Sequence, residues 1–569
     1  MAEQAGLGHC LDERSSLRRI GLALPRGALR LESGLFGLLL LCQLAYLGSG
    51  IGQVVNAYDE GFAVYGAARI VAGDLPYRDF WTIYAPGQFY VLATLYRVFG
   101  ETLLIERLWD TVVRFALALL VYLVTARLTS PRIAVVPGLI ATIWLGAADY
   151  YGYAVFPALA CSLLNVLALL RYVATRGGHW LAAGGAAVGV ATLFRHDLGA
   201  YAFLSGSLVL AAYALLGGAG PPRTLAARCG ELARTELTFT LGTLLVVLPV
   251  AAYFLAQVPP HVLWSDLVLF PVFINRQISY LPYPDLLPDP GSLSRGLEVG
   301  RYLVEALDPW VWFYTPLVVF AATTIALTTR LRSAEQRRSV RTWGLLLLVL
   351  LGLATFNHTL NRYDRMHALP SAIVALILLA VLVADLRGRW RRSPAILAAA
   401  PVLVLLSVNY VVLPANVTLA RLQAFPPWVC HSPVQRAGCA DLYPDQEQAL
   451  DFVGRHTAPG ERIFVGNVRH DRVYASDVLF YFLADRHSPS RFHELVGAVA
   501  NTLPVQRQIV DDLNRRDVRY VVLSEAFESL EEPNLSNAHS GVTVLDDFIR
   551  AHYERVAEFG AYTIWQRTQ

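Results

Sequence analysis

The chain has 569 residues, 55% of them hydrophobic and 16% charged, with a formal net charge of +3 and a mean hydropathy of +0.44. A soluble domain carries about 25% charged residues, so these residues cannot clothe a soluble protein of this size. The near balance of charge also leaves no electrostatic footprint for a nucleic-acid partner.

Five arginines, Arg14, Arg18, Arg19, Arg26 and Arg30, precede the first apolar stretch. That stretch is too long for the core of a cleaved signal peptide, and no small-residue cleavage site follows it. Residues 1–33 therefore read as a cytoplasmic leader to a signal anchor. Eleven apolar stretches then fall at about 35–55, 112–126, 133–145, 153–170, 181–193, 199–216, 237–255, 310–328, 343–354, 368–384 and 394–413. Crossing the hydrocarbon core takes about 20 residues of helix, so the shorter stretches must extend into their flanks.

All 47 basic residues are Arg, and they collect in alternate connections. Arg127 and Arg132 lie in one, then Arg171 and Arg176, then Arg223, Arg228 and Arg234. Arg330, Arg332, Arg337, Arg338 and Arg341 follow, and finally Arg387, Arg389, Arg391 and Arg392. Short Arg-rich loops stay cytoplasmic. This predicts a cytoplasmic N-terminus and an extracytoplasmic tail, with 56–110, 149–152, 195–197, 259–308 and 357–367 as outer connections.

Chemically capable residues gather in those outer connections. The first holds Asn56, Tyr58, Asp59, Glu60 and Gly61, then Asp74, Asp79, Trp81 and Tyr84 through Gly87. Its residues 62–72 and 89–99 have the mixed apolar character of interfacial helices. Asp59 and Glu60 are neighbours, so on a helix they point about 100° apart and cannot share one task. The second cluster is Arg195-His196-Asp197. The third, Asn357-His358 and Asn361 through His367, sets two Arg, one Asp and two His at an outer boundary, against the charge pattern of every other outer loop. Arg presents a fork that matches phosphate oxygens, and a lipid-borne phosphate is its natural occupant. The long loop 259–308, with Trp264, Arg276 and Tyr283, reads as an acceptor or lid loop, although aromatic residues serve lipid contact equally well.

The tail, about 415–569, changes character. Residues 447–456 and 506–516 read as helices and 462–465, 518–523, 556–559 and 562–565 as strands, which makes a small α/β domain. Cys430 and Cys439 are its only cysteines. On this topology they stand in an oxidising compartment, which points to a disulfide. There is no Walker loop, no metal-spaced Cys/His set and no Gly-x-Ser-x-Gly elbow.

The pattern resembles the GT-C superfamily of polyprenyl-phosphate-sugar glycosyltransferases, near the protein O-mannosyltransferases and the lipid A aminoarabinose transferases. The resemblance rests on Tyr58-Asp59-Glu60-Gly61, Gly73 through Phe80, Tyr84-Ala85-Pro86-Gly87, Arg195-His196-Asp197 and Arg362 through Pro370. It implies about eleven transmembrane helices over 34–414, with 415–569 as an extracytoplasmic α/β domain, in a bacterial inner membrane. It also implies inverting transfer from a polyprenyl-phosphate-sugar donor to a glycan, lipid or protein hydroxyl. Asp59 would be the general base, with Glu60 or Asp79 as a second acid. Arg362 and His367 would hold the departing phosphate, with Arg195 as second choice and Asp197, Asp364 and Tyr84 in support. Relatives often carry an acidic-basic pair before Pro-Pro in the first loop, where this chain reads Ile83-Tyr84-Ala85-Pro86 and lacks the basic residue. An ordinary Asp, with a pKa of about 3.9, is a weak base at neutral pH, and Glu60 together with burial is expected to raise it. A divalent metal stays open as a cofactor. The competing readings are a carrier or flippase for polyprenyl-linked glycans and a non-catalytic envelope scaffold.

Overall fold

The computed structural model describes residues 26–217, 224–286, 308–387, 430 and 432–568. The described chain is mostly helical with a small C-terminal sheet. Its membrane part contains α1 (Arg26–Gly48), α4 (Leu103–Leu128), α5 (Pro131–Ala147), α6 (Val155–Thr175), α7 (Gly178–Phe194), α8 (His196–Leu216) and α9 (Leu225–Gln257). It continues with α10 (Trp310–Arg332), α11 (Val340–Asn361) and α12 (Arg365–Arg387). Among the described residues seven of these are long and apolar enough to cross a membrane, and three are shorter apolar helices. The first ten predicted stretches fall on these ten helices. The eleventh, 394–413, and most of the leader lie outside the described residues. The chain is a multi-pass membrane protein.

Helices α7 and α9 pack through small residues, as helices in lipid must when no water drives them together. Gly185 lies so close to α9 that an added methyl would collide with the Phe239 carbonyl oxygen. Thr243 Oγ1 donates to the Gly185 carbonyl at 3.0 Å across the same contact.

The connection after α1 contains α2 (Asp59–Val71) and α3 (Gly87–Phe99), where the mixed apolar character predicted helices. Helix α2 is buried from Glu60 through Ile70. A helix that is apolar all round belongs in a core, and α2 has one, lying against α3 and against a helix of the C-terminal domain.

That domain holds α13 (Pro444–His456), β1 (Phe464–Asn467), α14 (Leu479–Ala484), α15 (Leu503–Arg515), β2 (Tyr520–Ser524), α16 (Val544–His552), β3 (Tyr553–Phe559) and β4 (Tyr562–Arg567). The sheet order is β1-β2-β4-β3. β1 and β2 run parallel, and the other two pairings are antiparallel. The tail patterning anticipates two helices and all four strands. It misses α14, a fully apolar six-residue helix, and α16. Cys430 and Cys439 are joined by a disulfide. Beside it the Val55 amide donates to the Asp441 carbonyl at 3.1 Å, so the tail enters its domain where the first connection begins.

The domain docks through α14. The Leu479 amide donates to the Ala57 carbonyl at 3.0 Å, and the Tyr65 and Tyr481 rings stack with centroids 4.9 Å apart. Gly61 permits the approach, because a methyl there would collide with the Leu479 backbone nitrogen. Gly61→Ala is therefore expected to cost on the order of 1–3 kcal/mol. A thermal melt of the detergent-solubilised chain should show a lowered midpoint, and limited proteolysis should release the C-terminal domain earlier than in wild type.

Candidate active site

Asp59 owes its position to two anchors in sequence on either side of it. Asn56 caps α2: its Oδ1 accepts the amides of Tyr58 at 3.2 Å and Asp59 at 2.8 Å. Its Nδ2 donates to Asp59 Oδ2 at 3.2 Å. Asn and Asp are strong caps because a short polar side chain satisfies the unpaired amides of a first turn. Glu60 reaches back to the Asn56 amide at 3.2 Å, in the manner of a capping box. Its carboxylate then meets Arg107 of α4, with Nε at 2.7 Å and Nη2 at 2.9 Å. Both side chains are fully buried.

The N-terminal half of α4 carries four buried charged residues, Glu106, Arg107, Asp110 and Arg114. Arg107 Nη1 also donates to the carbonyls of Ile51 at 2.7 Å and Gln53 at 2.6 Å. Arg114 pairs with Asp110 at 2.6 Å and donates to the carbonyls of Leu145, Ala148 and Asp149, while Glu106 accepts the Gly152 amide. Charges taken out of water must be paired. These pairs fasten three segments, 51–60, 145–149 and 152, to one helix.

Asp59, Arg195, Arg362 and His367 converge on one cavity of about 760 Å³ between the membrane helices and the C-terminal domain. Tyr84 and Asp364 also line it, as do Asp149, Tyr153, Arg365, Tyr474 and Glu494. Glu60, Asp79, Asp197, Trp264, Arg276 and Tyr283 are not part of its wall. The loop 259–308 reaches the cavity through Phe270, Asn275, Ile278 and Ser279 instead. Asp79 is occupied by Arg78 at 2.7 Å and the Leu75 amide at 2.8 Å. Glu60 is spent on Arg107, so neither candidate second acid faces the cavity. Trp264 and Tyr283 are largely exposed. The carboxylates that do share the wall with Asp59 are Asp149, Asp364 and Glu494.

Burial raises the Asp59 carboxyl to about 6, and the charge of Asp149 adds to that. His367 and the Asn56 hydrogen bond partly offset the rise. The second cause is thus Asp149, not the expected Glu60, whose charge Arg107 already balances. Asp59 is ionised in most molecules at neutral pH yet is a much better base than a solvated Asp.

The cationic wall is a continuous chain of contacts. Arg195, between α7 and α8, is held by Asp197 at 3.0 and 2.9 Å, and its Nη2 lies 3.1 Å from His358 Nε2. The His358 and His367 rings stack at 4.6 Å. His367 Nδ1 donates to Asp364 at 2.8 Å, and Asp364 accepts from Arg362 Nε at 2.9 Å. Arg362 then makes a two-pronged pair with Glu532 and donates to the Ser279 carbonyl at 3.2 Å and Tyr474 Oη at 3.5 Å. All five of its N–H groups have acceptors. Arg195 differs, since its recorded hydrogen bonds use Nε and Nη2 and leave Nη1 available on the cavity wall. The order of preference read from sequence therefore reverses: Arg195 is the poised cation, and Arg362 ties the loop 357–367 to the C-terminal domain.

Among the described residues no group of three or more His, Cys, Asp or Glu side chains is arranged to hold a metal ion. No protein-family profile and no curated protein matches the chain in sequence. Solved structures do. ArnT from Cupriavidus metallidurans, crystallised bound to undecaprenyl phosphate, superposes with a TM-score of 0.53 at 14% identity over 95% of this chain and 98% of its own. Its apo form gives 0.52 at 15% identity over 95% and 97%. The Archaeoglobus fulgidus oligosaccharyltransferase, in complex with zinc and sulfate, gives 0.47 at 12% identity over 86% and 68%.

The chain has the GT-C fold. Within it, the residues missed by sequence reasoning are Glu106, Arg107 and Asp110, whose charges made the first turns of α4 look like loop, and Arg114, which lay unremarked inside a predicted span, together with Asp149 and Glu494. Asn56-x-x-Asp59-Glu60 was a readable capping signal for α2. Glu494 carried no local signal, because its partner Tyr58 lies 436 residues away.

The buried pair gives a sharp test. Arg107→Met leaves Glu60 charged and uncompensated, which costs roughly 3–5 kcal/mol, whereas replacing both members with apolar residues is often close to neutral. Thermal melts of Arg107→Met and of the Glu60→Leu/Arg107→Met double variant should show a large loss followed by substantial recovery.

Proposed function

We propose that the chain is an integral membrane glycosyltransferase that moves a sugar from a polyprenyl-phosphate donor to an acceptor hydroxyl, with inversion at the anomeric carbon. The observation that carries this reading is the convergence of a raised-pKa carboxylate, Asp59, and an available guanidinium, Arg195, on one cavity of a GT-C fold. ArnT, with the same fold, was crystallised with undecaprenyl phosphate, and the chemistry of the cavity wall suits such a lipid. The proposed arrangement has residues 1–33 as a cytoplasmic leader, 34–414 as the catalytic membrane domain and 415–569 as an extracytoplasmic domain, in a bacterial inner membrane.

In this reading Asp59 takes the proton of the acceptor hydroxyl as its oxygen attacks the anomeric carbon. The bond from that carbon to the phosphate oxygen breaks, and the lipid phosphate leaves with the electron pair. Arg195 faces the charge that grows on the phosphate. Donors fixed in advance toward developing charge supply much of the benefit in such steps. Asp197 holds the guanidinium in place, and Asp364 orients His367 on the same wall. Asp149 raises the basicity of Asp59 by its charge. Arg362 braces the outer loop against Glu532.

Two measurements test this. Mass spectrometry of envelope glycans and glycolipids should find a glycoside that is present with the wild-type chain and absent from both a deletion strain and an Asp59→Asn strain. Retained product with Asp59→Asn removes Asp59 from the mechanism. In membranes the transfer rate should fall as pH drops through about 6, because protonation removes the base, and a flat profile across that window contradicts the assignment.

Arg195→Ala is expected to lower kcat by about 100- to 1,000-fold. Arg362→Ala should act chiefly on the melting temperature. The reverse pattern in the same assay restores the phosphate role to Arg362.

A further inference from the structure

Glu494 is an acidic residue that the transfer step does not use. It comes from the C-terminal domain, is buried, and lines the same cavity as Asp59. Its Oε1 accepts from Tyr58 Oη at 2.8 Å, and Tyr58 directly precedes Asp59 in the chain. Its Oε2 is buried and has no hydrogen-bond partner among protein atoms. A buried polar atom without a partner is rare in a folded protein, and Glu494 borders the cavity, so a group that enters there can supply the missing partner.

We propose that Glu494 is a specificity residue: its Oε2 hydrogen-bonds a second hydroxyl of a polyhydroxylated acceptor, beside the hydroxyl that Asp59 deprotonates, so that the acceptor is a glycan and not a Ser or Thr side chain. The inference rests on the transferase reading and adds the acceptor class to it. A Ser or Thr side chain offers one hydroxyl, and Asp59 consumes it. A sugar ring offers several hydroxyls at fixed spacing, enough to satisfy both carboxyl groups at once. The wall also carries Trp81, Tyr84, Trp144 and Trp312, flat faces on which a sugar ring packs.

The charge state of Glu494 agrees with this geometry. Burial raises its carboxyl to about 8; the Tyr58 hydrogen bond opposes the rise and the charge of Asp59 adds to it. At neutral pH it is mostly a neutral acid. It therefore does not compete with Asp59 for the proton, and its O–H can donate to an acceptor oxygen while Oε1 keeps the Tyr58 hydrogen bond. Gln reproduces that pattern of one donor and one acceptor, and Ala does not.

The test uses membranes bearing the full chain, with the strain's own polyprenyl-phosphate-sugar pool as donor and envelope glycan extracted from the deletion strain as acceptor. Glu494→Ala should raise the acceptor KM at least about 10-fold, since a site built to hydrogen-bond a hydroxyl discriminates by that pairing, and leave the donor KM unchanged. Glu494→Gln should restore most of the loss. Mass spectrometry of the product should show a sugar–sugar linkage. An unchanged acceptor KM in Glu494→Ala overturns the proposal, as does a joint rise of both KM values with a lowered melting temperature, or a product on Ser or Thr. No transfer by wild-type membranes counts against the transferase reading itself. Wild-type transfer that is indifferent to residue 494 counts against Glu494 alone.

Discussion

The site depends on a single guanidinium enclosed near the N-terminus of α4. Arg107 is fully buried with Glu60, and its remaining donors go to the Ile51 and Gln53 carbonyls. A buried pair of this kind adds little net stability, because desolvation offsets most of the attraction. What it contributes is register. With Glu60 fixed to α4 and Asn56 capping the same turn, the helical step carries Asp59 away from Arg107 and onto the cavity wall. Two adjacent carboxylates thus receive opposite duties: one is neutralised in the interior, and the other stays unpaired by any cation and becomes basic.

The opposite wall is built on a different principle. From Asp197 to Glu532, charged groups and imidazoles form one chain of contacts through Arg195, His358, His367, Asp364 and Arg362. Such a network holds each member in one orientation while leaving little net charge. Within it the two arginines differ in how far their donors are used, and that difference separates a group able to meet a ligand from one that joins two parts of the fold. The residue pattern alone ranked Arg362 ahead of Arg195, because donor usage is not written in the sequence.

Much of this architecture was legible in the residue pattern. Ten apolar stretches fall on ten helices, because lipid demands long runs of apolar side chains and leaves few ways to encode them. The strands of the tail were also readable, since alternation and turn residues are local. Three features were not. The first turns of α4 carry Glu106, Arg107 and Asp110, and their charges read as loop; they are tolerated because Glu106 and Arg107 find partners in other segments and Asp110 pairs with Arg114 one turn along the helix. Helix α14 is short and wholly apolar, so no periodicity marks it. Glu494 becomes meaningful only beside Tyr58, a neighbour supplied by tertiary packing alone. Of the candidate site, Asp59 and Arg195, named through the family resemblance, and Arg362, Asp364 and His367 of the loop with anomalous charge reached the cavity. Those flagged by proximity, Glu60 and Asp79, were already committed elsewhere.

The close packing of α2 against α14 has a consequence for how the protein is made. Helix α2 is synthesised early and is buried over eleven of its thirteen residues, yet part of what buries it, beginning at Leu479, is translated some four hundred residues later. Until the tail arrives on the same side of the bilayer, that surface has no partner and the cavity lacks a wall. The order of biosynthesis therefore makes this cavity one of the last parts of the molecule to close, and a chain interrupted before its C-terminal domain lacks one of the cavity's walls.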